Sequence, residues 1–243
     1  MSNVTVVTSG TSGIGRAIVE KIVNESSRED IIIVNYGHND TAAAQLKEQL
    51  PNKCSVEFIK ADLSDYDEML RFASLIKEKV DHIDWMVLNT GIGTYQSFDE
   101  YSIELWRSIM DTNVNIPAFL VKELKGFLAE NSNVVFMASH AGQMPYSSSV
   151  VYSVSKAAVI HLAKSLVKVL NETKTAVNAI APGFIETRWQ DNRSDESRER
   201  INKKIAAHRF GTPGEVASLC FEILSNDYLS GSCYDVHGGY DYF

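Results

Sequence analysis

The chain has 243 residues, of which 44% are hydrophobic, and a net charge of −8. That length and apolar content supply one sizeable α/β core and exclude a globally disordered chain. The acidic balance, with no basic run, excludes nucleic acid as a main partner and argues against anionic membrane surfaces.

Strands and helices alternate from the start. Residues 3–8 (NVTVVT) read as a strand and 14–24 as an amphipathic helix. The turn between them, TSGTSGIG, holds Gly10, Gly13 and Gly15 with the hydroxyls of Ser9 and Ser12. Glycines there let the backbone approach a pyrophosphate, and the helix N-terminus offers unpaired N–H groups. Residues 31–35 (IIIVN) are a continuous apolar strand running into Asn35 and Tyr36, and 41–50 are helical. A third strand, 55–60, precedes Asp62 and Leu63. Asp62 is placed either to accept from an adenine amine or to cap the helix of residues 66–80, as Asp65 could. Residues 84–88 (DWMVL) form a strand ending at Asn89, Thr90 and Gly91.

Helices follow at 103–111 and 114–129, then a strand at 134–137, a helix at 151–170 and a strand at 176–180. Unbroken apolar strands alternating with helices give a parallel sheet covered on both faces, a doubly wound three-layer α/β/α sheet of Rossmann type. The whole chain, 1–243, reads as one domain. Its one shift in composition is QDNRSDESRERINKK; the span of about 186–207 is either a solvated helix with its loop or a mobile lid over a ligand. Cys54, Cys220 and Cys233 lack metal-ligand or disulfide spacing and read as free thiols of a reducing compartment. No metal site is expected. The first residues lack a signal core, and no apolar run reads as long enough to cross a bilayer, so a soluble cytoplasmic protein is expected, without a membrane partner.

The densest chemistry lies in SHAGQMPYSSSVVYSVSK. Tyr152 and Lys156 are four residues apart, on one face of a helix. An ammonium beside a phenol favours phenolate, which lowers the tyrosine pKa from about 10 towards neutrality and suits it to proton transfer at a carbonyl. Ser139 ends the preceding strand.

Together these pieces resemble the short-chain dehydrogenase/reductase family over nearly the whole chain. They are TSGTSGIG, ADL at Asp62, NTG at Asn89, NVNIP at Asn113, the set Ser139, Tyr152 and Lys156, VNAIAPGFIET, RFGTPGEVA and SGSCYDVHGGY. Within the family the chain is most similar to the 3-oxoacyl-carrier-protein reductase branch. The resemblance implies that Tyr152 is the general acid or base and that Ser139 steadies the carbonyl oxygen. Lys156 then tunes Tyr152 and holds nicotinamide-ribose hydroxyls, while Asn113 holds a water that feeds Lys156. It also implies a dinucleotide bound by the glycine turn including Ile14, by the loops named above, and by Pro182, Gly183, Ile185 and Thr187. Ser9 stands where the family has glycine, and His140 follows Ser139, either lining a pocket or simply hydrogen-bonded.

No acid appears at the end of the second strand before Asp40, which favours NADP(H), with NAD(H) as the alternative. The expected substrate is a carbonyl, as a small molecule or an acyl thioester carried by acyl carrier protein. Docking of that acidic partner would use Lys122, Lys125, Lys164 and Lys168. A dehydrogenase of small alcohols, sugars or steroids is the rival on the same machinery. A dinucleotide-binding scaffold without turnover is the rival of another class, set against by the presence of both Tyr152 and Lys156. The resemblance further implies a homotetramer packed through the helices of 114–129 and 151–170, where Phe119, Leu120, Leu124 and Phe127 exceed what one sheet face covers, with the terminal YDYF reaching a neighbour.

Overall fold

The computed structural model describes residues 3–240. Its strands are β1 (Val4–Val7), β2 (Ile31–Tyr36), β3 (Ser55–Lys60), β4 (Ile83–Leu88), β5 (Leu128–Met137), β6 (Ala176–Pro182) and β7 (Cys233–Val236). All pair in parallel in one sheet of order β3-β2-β1-β4-β5-β6-β7. The strand order reverses between β1 and β4, so their carboxyl ends open the crevice where ligands collect in such sheets.

The helices are α1 (Gly13–Glu25), α2 (Asp40–Gln49), α3 (Tyr66–Lys79), α4 (Ile103–Met110), α5 (Ile116–Leu124), α6 (Val150–Val169), α7 (Asp195–Asn202) and α8 (Pro213–Leu224). One face of the sheet packs Phe72 and Ile76 of α3, Leu120 of α5 and Val159 of α6 against Val134 and Phe136. The other packs Ile18 and Ile22 of α1, Leu46 of α2 and Ile223 of α8 against Ile32 and Val135. This is the three-layer arrangement expected from unbroken apolar strands: every residue of β1 and β6 is buried. Asn178, buried inside β6, is satisfied by donating to Leu229 O and accepting from Ser232 N–H, which ties the approach to β7 to the sheet.

Several expected boundaries move. The helix expected over 114–129 stops at Leu124, and a 3-10 turn, Lys125–Phe127, leads into a strand that starts at Leu128. Polar residues hid its first half. Ser132 and Asn133 are buried there, and the Ser132 hydroxyl pairs with Thr175 Oγ1 at 2.8 Å. Between α4 and α5 the chain forms a π-helical turn, Asp111–Asn115, in which Ile116 N–H donates to Asp111 O. Pro117 explains it: without an N–H it cannot serve the Asn113 carbonyl four residues back. Leu120 and Leu124 are buried, which leaves Phe119 exposed on that helix. The expectation that no segment is long and apolar enough to cross a membrane is also corrected. α6 meets both criteria, yet it packs along β5 and β6. Within YDYF, residues 241–243 lie outside the described residues.

Candidate active site

The crevice between β1 and β4 is built by one network of hydrogen bonds. The Thr8 hydroxyl accepts from the N–H groups of Asn89 and Thr90 at 2.9 and 3.1 Å. The Asn89 amide donates to the carbonyls of Thr8 and Ser9 at 3.3 and 3.2 Å. Ser9, standing at φ 49° in the left-handed region that favours glycine, is held there twice. Its N–H donates to Asn35 Oδ1, and its hydroxyl pairs with Thr90 Oγ1 at 2.8 Å. A methyl group on Gly15 would stand 2.3 Å from the Ser9 carbonyl oxygen and 2.5 Å from Asn89 Nδ2, so only glycine lets α1 start this close to the β4 loop.

The residues expected to carry the chemistry meet at the carboxyl ends of β5 and β6. Ser139 follows β5, and Tyr152 and Lys156 sit in the first two turns of α6. Gly142 allows the close crossing that brings them together, since a methyl there would lie 2.6 Å from the Lys156 carbonyl carbon. Lys156 is 4% exposed, donates to Met137 O at 2.7 Å, and lies over the Tyr152 ring at 5.7 Å. Burial lowers its pKa to about 8. Tyr152 departs from expectation. Burial pushes its phenol up to about 12, and the hydrogen bond with Ser139 opposes this only in part. Desolvation of the phenolate outweighs the nearby amine, which faces the ring and is bonded to a main-chain carbonyl.

Asn113 sits in the π turn, 1% exposed, behind Gly91. Its amide donates to Ile92 O and Ser155 Oγ, and its Oδ1 accepts from Ile92 N–H. The side chain thus fixes the β4 loop against α6.

A cleft of about 560 Å³ runs from the glycine turn to these residues. Of the residues expected at a cofactor, Ser9, Ser12, Gly13 and Ile14 line it at one end, with Asn89 and Gly91 beyond. Tyr152, Lys156, Pro182, Gly183, Ile185 and Thr187 line the rest. Thr187 approaches the glycine turn, within 3.3 Å of a methyl position on Gly13. Gly10 and Gly15 stand behind the turn and shape it. Asn35 is a brace, its amide donating to Ala61 O and its Oδ1 accepting from Ser9 N–H. Tyr36 donates its hydroxyl to Asp40, and Leu63 is buried. Asp62 does not cap α3; Asp65 does, accepting from Glu68 N–H, while Asp62 accepts from Ser64 and faces His38 at 3.3 Å.

These residues fit a dinucleotide. Ser12, the N-cap of α1, makes no side-chain capping bond, Ser12, Gly13 and Ile14 line the cleft at the start of that helix, and Gly13 holds φ 53° without a side chain.

Sequence alone points to residues 90–97, 140–149 and 186–204 as shaping the pocket, but it does not single out Gly93, Tyr95, Met144, Tyr146 or Trp189 within them and gives no sign of Tyr240 at the cleft. All of these line it, and the Trp189 ring lies 5.7 Å from that of Tyr152. Their signal was weak because they lie in irregular loops. His140 both lines the cleft and is hydrogen-bonded to Gln143 at 3.2 Å, with His237 4.5 Å away ring to ring. The span of 186–207 contains α7 and is anchored by Ile201 and Ile205, which cluster with Phe210, Phe184 and Tyr240. Lys122, Lys125 and Lys168 stand at the far ends of α5 and α6 from the cleft, because both helices run back towards the amino ends of the strands. Lys168 is about 18 Å along α6 from Lys156.

The family model for short chain dehydrogenases matches residues 3–198. The 3-oxoacyl-[acyl-carrier-protein] reductase FabG of Aquifex aeolicus is 32% identical over 250 residues, covering 97% of this chain and 96% of that one. Glucose 1-dehydrogenase 2 of Bacillus subtilis is 31% identical, covering 96% and 93%. Among solved structures, the RhlG/NADP active-site complex of Pseudomonas aeruginosa superimposes with a TM-score of 0.89 at 24% identity, covering 98% and 96%, a likeness of fold. The family match along most of the chain and the shared fold lead to one conclusion: the chain belongs to the short-chain dehydrogenase family and is an NAD(P)-dependent oxidoreductase.

Proposed function

We propose that the chain reduces the keto group of a 3-oxoacyl thioester to a secondary alcohol, with NADP(H) as its cofactor. The observation that carries this reading is the convergence of Ser139, Tyr152 and Lys156 in one corner of the cleft, with Lys156 buried behind the other two. The bound cofactor supplies the hydride. Ser139 donates a hydrogen bond to the carbonyl oxygen and stabilises the charge that develops there. Tyr152 gives its phenolic proton to the same oxygen, and the Lys156 ammonium stabilises the phenolate left behind. A phenol with a pKa of about 12 holds its proton at neutral pH, which suits the acid's role in reduction. Asn113 keeps the β4 loop in place beneath them.

Preference for NADP(H) draws on the end of β2. Asp40, the first acid after that strand, is engaged by Lys60 and Tyr36, which hold its carboxyl below the usual range. The Lys60 ammonium offsets the Asp40 carboxylate, which weakens its repulsion of a 2′-phosphate, and exposed His38 stands nearby. Asp62 remains a candidate for the adenine end. The thioester substrate is supported by the Aquifex aeolicus relative. Delivery by acyl carrier protein has support from the relatives alone, since Lys122, Lys125 and Lys168 lie away from the cleft mouth. A homotetramer is supported by exposed Phe119, Val154 and Val169 on α5 and α6, and a reducing, cytoplasmic setting by three free cysteines.

The test is turnover on an acetoacetyl thioester of N-acetylcysteamine against a panel of polyols, with each cofactor. Thioester reduction with NADPH at least about tenfold more efficient than with NADH is expected, a difference of roughly 1.4 kcal/mol in barrier. Polyol oxidation as the main activity would replace the substrate reading, and a tenfold advantage for NADH would replace the cofactor reading.

A further inference from the structure

Trp189 sits in a short 3-10 turn, Arg188–Gln190, between β6 and α7, and is 46% exposed although it lines the cleft. Three independent features fix it over the reacting phenol. Its ring stands 5.7 Å from that of Tyr152 at an interplanar angle of 44°. Its main-chain carbonyl accepts from the Tyr95 hydroxyl at 3.1 Å, a tie between loops 94 residues apart in sequence. Beneath both rings passes Gly93, where a methyl group would lie 2.9 Å from Trp189 Cζ2 and 3.2 Å from Tyr152 Cδ2. Met144 and Tyr146, from the segment after Ser139, line the same space. The carbonyl-binding end of the cleft is therefore walled chiefly by the rings of Tyr95, Tyr146, Tyr152 and Trp189, with Met144 beside them.

We propose that Trp189, latched by Tyr95 and seated over Gly93, selects carbonyl substrates that carry a planar aromatic group beside the reacting carbon. The proposal rests on carbonyl reduction at Tyr152 and adds the class of substituent. Aromatic rings meeting in offset or edge-on geometry gain attraction beyond the area they bury, and two such contacts amount to about tenfold in kcat/KM. A saturated chain of the same carbon number gains only its buried area and loses rotamer freedom on binding. Trp189 and Tyr95 are pocket walls here and take no part in proton transfer.

Two matched pairs of substrates test this. One pair is the benzoylacetyl thioester of N-acetylcysteamine and the straight-chain 3-oxoacyl thioester of equal carbon number; the other is acetophenone and methyl hexyl ketone. The wild-type protein is expected to favour the aryl member of each pair by about tenfold in kcat/KM. Trp189→Ala should bring that ratio to within about twofold, with NADPH affinity unchanged as the check on folding. Tyr95→Phe, which keeps the ring and removes the latch, should give an intermediate ratio. Equal efficiencies in the wild type, or an aryl preference that survives in Trp189→Ala, would overturn the proposal; an unchanged ratio in Tyr95→Phe would overturn the latch. An aryl preference among the simple ketones without thioester turnover would uphold the aromatic wall while removing the thioester reading. If no carbonyl were reduced, calorimetric binding of the simple ketones to the NADPH-loaded protein would decide, tighter binding of acetophenone supporting the wall and equal binding refuting it.

Discussion

Lys156 and Tyr152 lie one helical turn apart, and burial moves both away from charge. The lysine is lowered to about 8 and the phenol raised to about 12. Spacing revealed that the two share a face; it could not reveal how deeply they are buried, and depth decides the sign of the phenol's shift. A pH dependence follows. Below about pH 8 the ammonium is present to stabilise the phenolate formed in reduction; as the pH rises through 8 it is lost, while the phenol itself keeps its proton. The reductive kcat/KM of the wild type is therefore expected to fall above pH 8, and Lys156→Arg, whose side chain stays charged, should lose that limb. A wild-type profile flat to about pH 10 would contradict this assignment. Asn35 and Asn113 teach a related lesson. Each was legible as a polar group near the crevice, but each has its hydrogen bonds taken by Ser9, Ala61, Ile92 or Ser155, a fact of packing that no motif states.

At the scale of elements, the first half of the chain was read nearly to the residue because its strands are unbroken apolar runs and its glycine turn falls between strand and helix. The turn's demands are steric and testable. Gly15→Ala would drive a methyl group into main-chain atoms of Ser9, which cannot rotate aside. Calorimetry should show NADPH affinity falling at least about tenfold, with stability lowered by roughly 1–3 kcal/mol. Gly126→Ala, where a methyl meets nothing within 4 Å, serves as the control. Wild-type affinity in Gly15→Ala would mean that the turn relaxes freely. The second half was less legible. β5 begins in a polar segment, five of the eight residues of α7 are charged, and β7 is only four residues long, so none of the three shows a clean period. The residues that wall the substrate end come from irregular loops, which is why the sequence marks their segments without singling out Trp189 or Tyr95.

Across the whole molecule, the sheet order brings five separate segments to one crevice: the turn after β1, the loop after β4, Ser139 after β5, the start of α6, and the loop after β6. Alternation of elements predicted a doubly wound sheet, and right-handed crossovers place those segments on the same edge. The outer face of α5 and α6 carries Phe119, 44% exposed, together with Val154 and Val169. Light scattering is expected to give a mass of about four chains, the closed assembly that would cover this apolar surface. A monomer at micromolar concentration would show that the face has no such role.

The claim on which the rest depends is that Tyr152 hands its proton to the substrate oxygen. Single-turnover reduction of a carbonyl substrate by Tyr152→Phe, measured with NADPH prebound, tests it most directly. The predicted result is a rate lower by about a thousandfold with NADPH affinity within about twofold of wild type. A rate close to that of the wild type, with the cofactor bound as tightly, would contradict it.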